Sequence, residues 1–223
     1  MKLRLFYLLI LVIATVFAFS SCDEPYEPPP PPEPNIIMTT AKSGMVSIQM
    51  RGSGSAEIDW GDGTKDGVFF YNNIPETWTN NYADSSVKTI KITGVNVKIT
   101  FLDCGNNGLT SLDLANVPAL TELRCYANKL TTLDLSKNSA LTTLNCYDNE
   151  LKSLDTSGLN ALKELHCNFN FMNVAALNAL FGTLNSTPVV KYIYIGNNGP
   201  NHDGSGTEGC NKSIAEEKGW LVF

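Results

Sequence analysis

Four cysteines recur at a fixed interval in the second half of this 223-residue chain. Cys104, Cys125, Cys146 and Cys167 are each separated by 21 residues, and their surroundings recur with them. A large aliphatic residue lies five and two positions before each cysteine, an asparagine three positions after it, and Leu or Met five positions after it. A fifth set follows after 28 residues and comprises Val190, Ile193, Ile195 and Asn198. Such self-similarity indicates a structure built from stacked repeats.

The repeated unit resembles the leucine-rich repeat, L-x-x-L-x-L-x-x-N-x-L, with cysteine at one leucine position. One repeat forms a short strand and a return turn and cannot bury its apolar side alone, so neighbouring repeats share a core. The asparagines are expected to hydrogen-bond backbone groups in the bend after each strand. Residues 97–200 are therefore predicted to form leucine-rich repeats, with a helix over 174–184, and residues 201–223 a C-terminal cap.

The evenly spaced cysteines have three interpretations. They occupy a leucine position, which favours buried free thiols packed in one column of the core. Disulfides are a second possibility in an exported chain, although side chains pointing the same way from parallel strands have poor geometry for a bridge. A metal site is the third. Cys210 lies outside the repeat and has no evident partner.

Residues 36–96 do not follow the repeat. Alternating apolar and polar residues predict strands over 45–50, 55–60 and 87–93. The run from Ile58 to Thr64 resembles the W-G-D-G-T motif of polycystic-kidney-disease-type (PKD) domains, and Tyr82-Ala83-Asp84 resembles their Y-x-D motif. Ser86 and Lys88 depart from that family, which usually has Gly and Tyr at these positions. The resemblance implies a small β-sandwich-like domain over 36–96. The fold class predicted for the whole chain is mainly β with minor α: this domain followed by a leucine-rich-repeat solenoid.

Three aspartates in the same region could supply oxygen ligands to calcium. Asp59, Asp62 and Asp66 are spaced through a turn, but their spacing does not match an EF-hand. The alternative is that they shape the turn through hydrogen bonds to the backbone, which we favour.

The first 35 residues indicate export. Residues 1–22 combine Lys2 and Arg4 with an apolar run that is short for a bilayer span, and they end in small residues before Cys22, as in a signal peptide. This resembles the lipobox of bacterial lipoproteins and implies lipidation of Cys22. Asp23-Glu24 resembles the surface-export signal of Bacteroidota-type lipoproteins. Residues 23–35 contain seven prolines and are predicted to form an extended Pro-rich linker. We expect an outer-membrane, lipid-anchored protein that faces the exterior.

The charge of the chain argues against two classes of partner. The net charge of −6 becomes −8 when Lys2 and Arg4 are removed with residues 1–22, which contain no acidic residue. No block of Lys or Arg remains, so neither nucleic acid nor an anionic membrane surface is an expected partner beyond the lipid anchor.

A binding surface is predicted on the concave side of the repeats, where the polar residues between the leucines line up in columns. The candidate ligand-binding residues are Glu122, Arg124, Tyr126, Asn145, Tyr147, His166 and Tyr194. Tyr and Arg are enriched where binding energy concentrates. The resemblance to repeats of Bacteroidota surface lipoproteins, and more distantly to internalins, implies adhesion or recognition of a host or matrix protein or a glycan. The alternative for these residues is a solvated strand surface.

Catalysis is not expected. The chain has two histidines, His166 and His202, and contains no G-x-S-x-G, Walker loop or H-E-x-x-H motif. A hydrolase using Glu122 and Glu164, two repeats apart, is the weakest hypothesis. An accessory glycan-capture lipoprotein of a nutrient-uptake system is the stronger alternative to adhesion. We expect no cofactor, no metal and a monomer.

Overall fold

A computed structural model describes residues 32–71 and 73–223. The predicted signal peptide, Cys22 and most of the Pro-rich linker lie outside these residues. Within them, thirteen strands and two helices occur, so the described chain is mainly β, as the sequence predicted. The strands are β1 (Ile36–Thr40), β2 (Gly44–Ser53), β3 (Ser55–Asp59), β4 (Lys65–Phe69), β5 (Glu76–Tyr82), β6 (Lys88–Thr93), β7 (Lys98–Asp103), β8 (Leu109–Asp113), β9 (Glu122–Arg124), β10 (Thr143–Asn145), β11 (Glu164–His166), β12 (Lys191–Tyr194) and β13 (Trp220–Val222), and the helices are α1 (Val174–Thr183) and α2 (Ser213–Glu216).

Two sheets contain all of these strands. One has five strands in the order β4-β3-β6-β1-β8, and the other has eight in the order β13-β12-β11-β10-β9-β7-β2-β5. The strands of the N-terminal region alternate strictly in burial: Val46, Ile48 and Met50 of β2 are buried, and the residues between them are not. Alternation with a period of two places one side of each strand in the core between the sheets.

Both sheets cross the predicted boundary between residues 96 and 97. In the eight-stranded sheet, β7 pairs antiparallel with β2 on one side and parallel with β9 on the other. In the five-stranded sheet, β8 pairs antiparallel with β1. The buried apolar side chains from Ile36 to Trp220 accordingly belong to one cluster. The N-terminal strands therefore cover the first repeat directly, and both regions bury their apolar sides in the same core.

The 21-residue period appears in the eight-stranded sheet as parallel strands in register. Leu102 pairs with Leu123, Leu123 with Leu144, and Leu144 with Leu165. These leucines are fully buried, and each buried leucine contributes about 1.5–3 kcal/mol to stability. The predicted helix begins at Val174 and buries Leu177, Leu180 and Phe181, which explains the longer step to β12.

The repeated asparagines pair the backbone at the bend after each strand. The side-chain amide of Asn149 donates to the carbonyl oxygens of Cys125 and Cys146 at 2.9 and 3.1 Å, and its Oδ1 accepts from the backbone N–H of Leu130 at 3.1 Å. Asn128 and Asn170 make the equivalent contacts one repeat away. The predicted role of these residues is confirmed.

The four repeat cysteines are free and fully buried. Burial raises the pKa of the Cys146 thiol to about 12, and raises that of the other three as well. The thiols of Cys146 and Cys167 donate to the carbonyl oxygens of His166 and Tyr194, each at 3.4 Å. A cysteine in this column thus fills core volume. It also hydrogen-bonds the backbone of the next strand, which a leucine side chain cannot do.

A buried lysine holds parts of the C-terminal region together through hydrogen bonds. Lys191 has no exposed surface, and its ammonium group donates to the carbonyl oxygens of Asn185, Thr187 and Lys218 at 3.1, 2.8 and 2.8 Å. Burial lowers the pKa of this group. Trp220 lies beneath it, with Nζ 5.4 Å from the ring centroid. None of the described helices has the length and apolar character that crossing a membrane would require.

Candidate binding face

One side of the eight-stranded sheet faces the core, and the other, which we call the open face, does not. The open face begins with exposed residues of β5, continues over β2, β7, β9, β10 and β11, and ends on β12 and β13. Its side chains are Thr77, Thr79, Asn81, Met45, Ser47, Gln49, Arg51, Phe101, Asp103, Glu122, Arg124, Thr143, Asn145, Glu164, His166, Tyr192, Tyr194, Leu221 and Phe223. Eight strands spaced about 4.8 Å apart make this surface about 33 Å wide.

Five of the seven candidate ligand-binding residues form two adjacent columns on this face. Arg124, Asn145, His166 and Tyr194 are paired in register along one column. Glu122 belongs to the neighbouring column. The remaining two, Tyr126 and Tyr147, lie two positions beyond the ends of β9 and β10. The structure thus brings all seven onto consecutive repeats.

Tyr126 and Tyr147 stack on each other. Their ring centroids are 5.4 Å apart and their planes are inclined by 6°. The repeat before them has Gly105 in this position, and a Cβ there would lie 2.6 Å from the Tyr126 ring. The ring of Tyr126 therefore covers the backbone of Gly105 on one side and packs on Tyr147 on the other. The pKa of the Tyr126 phenol is raised, chiefly by the negative charge of the nearby Asp103 carboxylate and to a smaller extent by burial.

A second stack lies at the other end of the face. The His166 and Tyr194 rings are 4.3 Å apart and inclined by 7°, and the Phe223 ring continues the stack 5.1 Å from Tyr194. Tyr192 packs beside Phe223 at 6.3 Å. Stacked rings of this kind are worth about 0.5–1.5 kcal/mol per pair beyond the area that they bury. Each stack therefore restricts the orientation of the rings within it.

Two pairs of acidic and basic side chains lie beside the stacks. Arg124 Nη2 is 2.6 Å from Glu122 Oε1, and His166 Nε2 is 2.8 Å from Glu164 Oε1. In each case the partners are two residues apart on the same strand and point to the same side. Exposed pairs such as these add little stability, so their effect is to orient charged groups on the surface.

Sequence reasoning missed the N-terminal extension of the face. Phe101 is buried between two guanidinium groups, with Arg51 and Arg124 each 5.4 Å from its ring centroid. Arg51 comes from β2, and only the pairing of β2 with β7 brings it to the repeats. The alternation of β2 showed that Ser47, Gln49 and Arg51 share one side, but nothing in the sequence indicated which strand lies next to it.

Of the three aspartates considered as calcium ligands, two make turn hydrogen bonds and the third accepts from a side chain. Asp59 Oδ1 accepts from the Gly61 N–H at 2.9 Å, and Asp62 Oδ1 accepts from the N–H and hydroxyl of Thr64. Asp66 accepts from the Trp60 indole at 2.8 Å. Among the described residues, no group of three or more His, Cys, Asp or Glu side chains is placed to hold a metal ion.

Comparison with solved structures found a similarity over part of the chain. No family model and no curated protein matches the chain. Among solved structures, the functional domain of InlJ from Listeria monocytogenes, described as including a cysteine ladder, is 30% identical with a TM-score of 0.37. The match covers 44% of this chain and 20% of that one. The chain therefore spans about one fifth of the length of the protein that it matches.

Proposed function

We propose that this chain is a non-catalytic cell-surface binding protein, a leucine-rich-repeat solenoid with a PKD-like N-terminal β domain, whose open face recognises a protein ligand. The observation that carries the proposal is the pair of aromatic stacks on consecutive repeats. Tyr126 with Tyr147, and His166 with Tyr194, place half-buried rings beside oriented charges. Rigid aromatic and Arg side chains surrounded by polar neighbours are the usual composition of a protein-binding hot spot.

The way the rings are packed favours protein over glycan. A sugar ring packs against the face of an aromatic side chain, but both faces of Tyr126 and Tyr194, and one face each of Tyr147 and His166, are already covered by neighbours in the stacks. Such rings present their edges, and for the tyrosines their hydroxyl groups, to a partner. Ring edges and hydroxyls suit a partner with peptide groups and side chains of mixed polarity. Glycan capture for a nutrient-uptake system is therefore the second candidate.

Surface attachment completes the proposal. The lipobox-like end of residues 1–22 would place a lipid at Cys22, and the prolines of residues 23–35 would separate the folded part from the membrane. Pro34 and Asn35 are the last linker residues before β1, and both are hydrogen-bonded: Pro34 accepts from Asn116, and the Asn35 N–H donates to Ile92. The spacer would then end where the folded part begins, with the protein exposed on the outer membrane.

The carboxylates of the open face support the absence of catalysis. Glu122 and Glu164, the pair considered for a hydrolase, each contact a basic side chain on their own strand, Arg124 and His166. A general acid of a glycosidase needs a carboxyl group whose pKa is raised by an apolar or like-charged environment. Neither carboxylate lies in such an environment, because each is partly exposed and lies beside a basic side chain.

The proposal is tested on arrays of immobilised host and matrix proteins, with a glycan array beside them. We expect the purified protein to bind a protein on the first array. The double variant Tyr126→Ala/Tyr147→Ala should weaken that binding by about tenfold or more, because it removes one stack from the centre of the contact. Its melting temperature should be nearly unchanged.

The matched control is Tyr71→Ala, which removes a tyrosine that is 65% exposed and lies outside the open face. This variant should bind like the unmodified protein. Binding to glycans alone, or equal binding by the double variant and the control, would contradict recognition of a protein by this face. Turnover of a polysaccharide that Glu122→Gln or Glu164→Gln abolishes would contradict the absence of catalysis.

A further inference from the structure

A pocket of about 610 Å³ lies next to the junction of β2 and β7, and it is separate from the aromatic stacks. Its walls include two cations, three hydroxyl groups and one aromatic ring: Arg51, Lys98, Ser53, Thr100, Thr121 and Phe70. The volume falls in the range of small-molecule sites, and convergent polar groups beside an aromatic wall are typical of them.

The charge of the pocket is opposite to that of the chain. The sequence has a net charge of −6, yet no Asp or Glu among the described residues lines this pocket. Neither Arg51 nor Lys98 forms a salt bridge with any carboxylate of the described residues. Arg51 Nε is buried and has no hydrogen-bond partner in this part of the chain. Burying a guanidinium nitrogen without a hydrogen-bond acceptor costs free energy. The missing acceptor indicates that Arg51 is not held there to form an ion pair within the protein.

The position of Arg51 is fixed by the backbone around it. The pairing of β2 with β7 shifts register between Arg51 and Gly52, and a Cβ at Gly52 would collide with the carbonyl of Lys98. Only glycine allows the two strands to approach so closely here. On the open face, the guanidinium packs 5.4 Å from the Phe101 ring centroid. The bulge and the ring therefore position a cation whose charge remains unpaired.

Two of the three hydroxyl groups of the pocket are arranged as acceptors. Thr121 Oγ1 donates to the Thr100 carbonyl at 2.8 Å, and Thr100 Oγ1 donates to the Arg51 carbonyl at 3.3 Å. Because each hydroxyl has a single hydrogen, the oxygens that remain can accept but not donate. A matching ligand has to supply O–H or N–H donors as well as negative charge.

The aromatic wall completes the set. Phe70 is half-buried and is held edge-on by Trp78, with ring centroids 6.1 Å apart. This arrangement differs from that of the tyrosine stack, because an edge-on neighbour does not cover the whole face of a ring. The pocket thus combines an apolar surface, hydroxyl acceptors and two cations.

We propose that this pocket binds a carboxylate-bearing sugar. The carboxylate would pair with Arg51, which can offer parallel N–H donors, and with Lys98. The sugar hydroxyls would donate to Thr100 and Thr121, and the apolar face of the sugar ring would contact Phe70. A simple anion would pair only with the two cations of the pocket. A neutral sugar would hydrogen-bond only with the hydroxyl groups of the pocket. The site shares Arg51 with the open face but contains no residue of the aromatic stacks, so Lys98→Ala and Tyr126→Ala/Tyr147→Ala distinguish loss of the pocket from loss of protein recognition.

The test is calorimetric titration of the purified protein with glucuronate, glucose, acetate and sulfate. We expect glucuronate to bind, with the other three binding weakly or not at all. Arg51→Gln should weaken glucuronate binding by about tenfold or more, since it removes a charge-assisted bidentate contact. Lys98→Ala changes an exposed residue, so it keeps the test valid if Arg51→Gln fails to fold, and it should also weaken binding.

The matched control is Lys152→Ala, which removes an exposed lysine that does not line the pocket. It should leave the affinity for glucuronate unchanged. Absence of glucuronate binding, or equal affinity in Lys98→Ala and Lys152→Ala, would overturn the site. Equal affinity for glucuronate, acetate and sulfate would overturn recognition of the sugar and show a general anion pocket instead.

Discussion

At the scale of single residues, the repeated asparagine has the clearest structural role. Asn128, Asn149 and Asn170 each use both ends of the amide to pair backbone groups of their own repeat and the previous one. The residue before each of them, Ala127, Asp148 and Phe169, has a φ between 51° and 55°. This left-handed conformation makes the bend, and the asparagine satisfies the backbone groups that the bend leaves in the core.

Replacing Asn149 by Ala should therefore be costly. Two carbonyl oxygens and one N–H would lose a partner away from water, and we expect a loss of about 2–4 kcal/mol in the free energy of unfolding. Urea unfolding followed by circular dichroism measures it. Asn168→Ala is the matched control, because Asn168 is half-buried just beyond β11 and makes no side-chain hydrogen bond within the described chain. Equal losses in the two variants would contradict the role of the asparagine.

At the scale of elements, the C-terminal end differs from the repeats in how it is closed. β12 and β13 cover the last repeat, and the helix α1 replaces the return turn of the others. Lys191 links two backbone segments to its own strand, since its ammonium group contacts one segment at Asn185 and Thr187 and the other at Lys218. An end cap of this kind shields the last leucine layer of a repeat structure from water.

We expect Lys191→Met to loosen this end of the chain first. The methionine keeps most of the apolar volume but leaves the carbonyls of Thr187 and Lys218 without the ammonium donor, at a net cost of about 1–3 kcal/mol. In Lys191→Met, hydrogen exchange should show a loss of protection over residues 185–222 that is larger than any loss over the central repeats. Lys129→Met changes an exposed lysine of the second repeat and should leave the exchange pattern as it was. Unchanged or higher protection in Lys191→Met would contradict the link.

At the scale of the whole molecule, the sequence predicted the local pattern better than the assembly. The 21-residue period placed the strands, the buried cysteines, the asparagines and the columns of the repeat region, because each depends on neighbours at a fixed distance along the chain. It did not show that β8 joins β1, or that β2 brings Arg51 beside Phe101, because antiparallel pairing between distant segments leaves no periodic signal. The pocket and the N-terminal part of the open face could not be predicted for the same reason.

The N-terminal strands and the repeats share one core, which makes the open face continuous. Two variants that each keep a single buried tryptophan test it. Trp60 reports on the N-terminal strands and Trp220 on the C-terminal end, and both are 1% exposed.

Each variant is unfolded in urea, and the fluorescence transition of its tryptophan is compared with its own circular dichroism transition. Because one shared core unfolds cooperatively, we expect the two transitions to coincide in both variants. A Trp60 transition that is separated from the loss of secondary structure, with Trp220 following a second transition, would show two independent cores and contradict the claim.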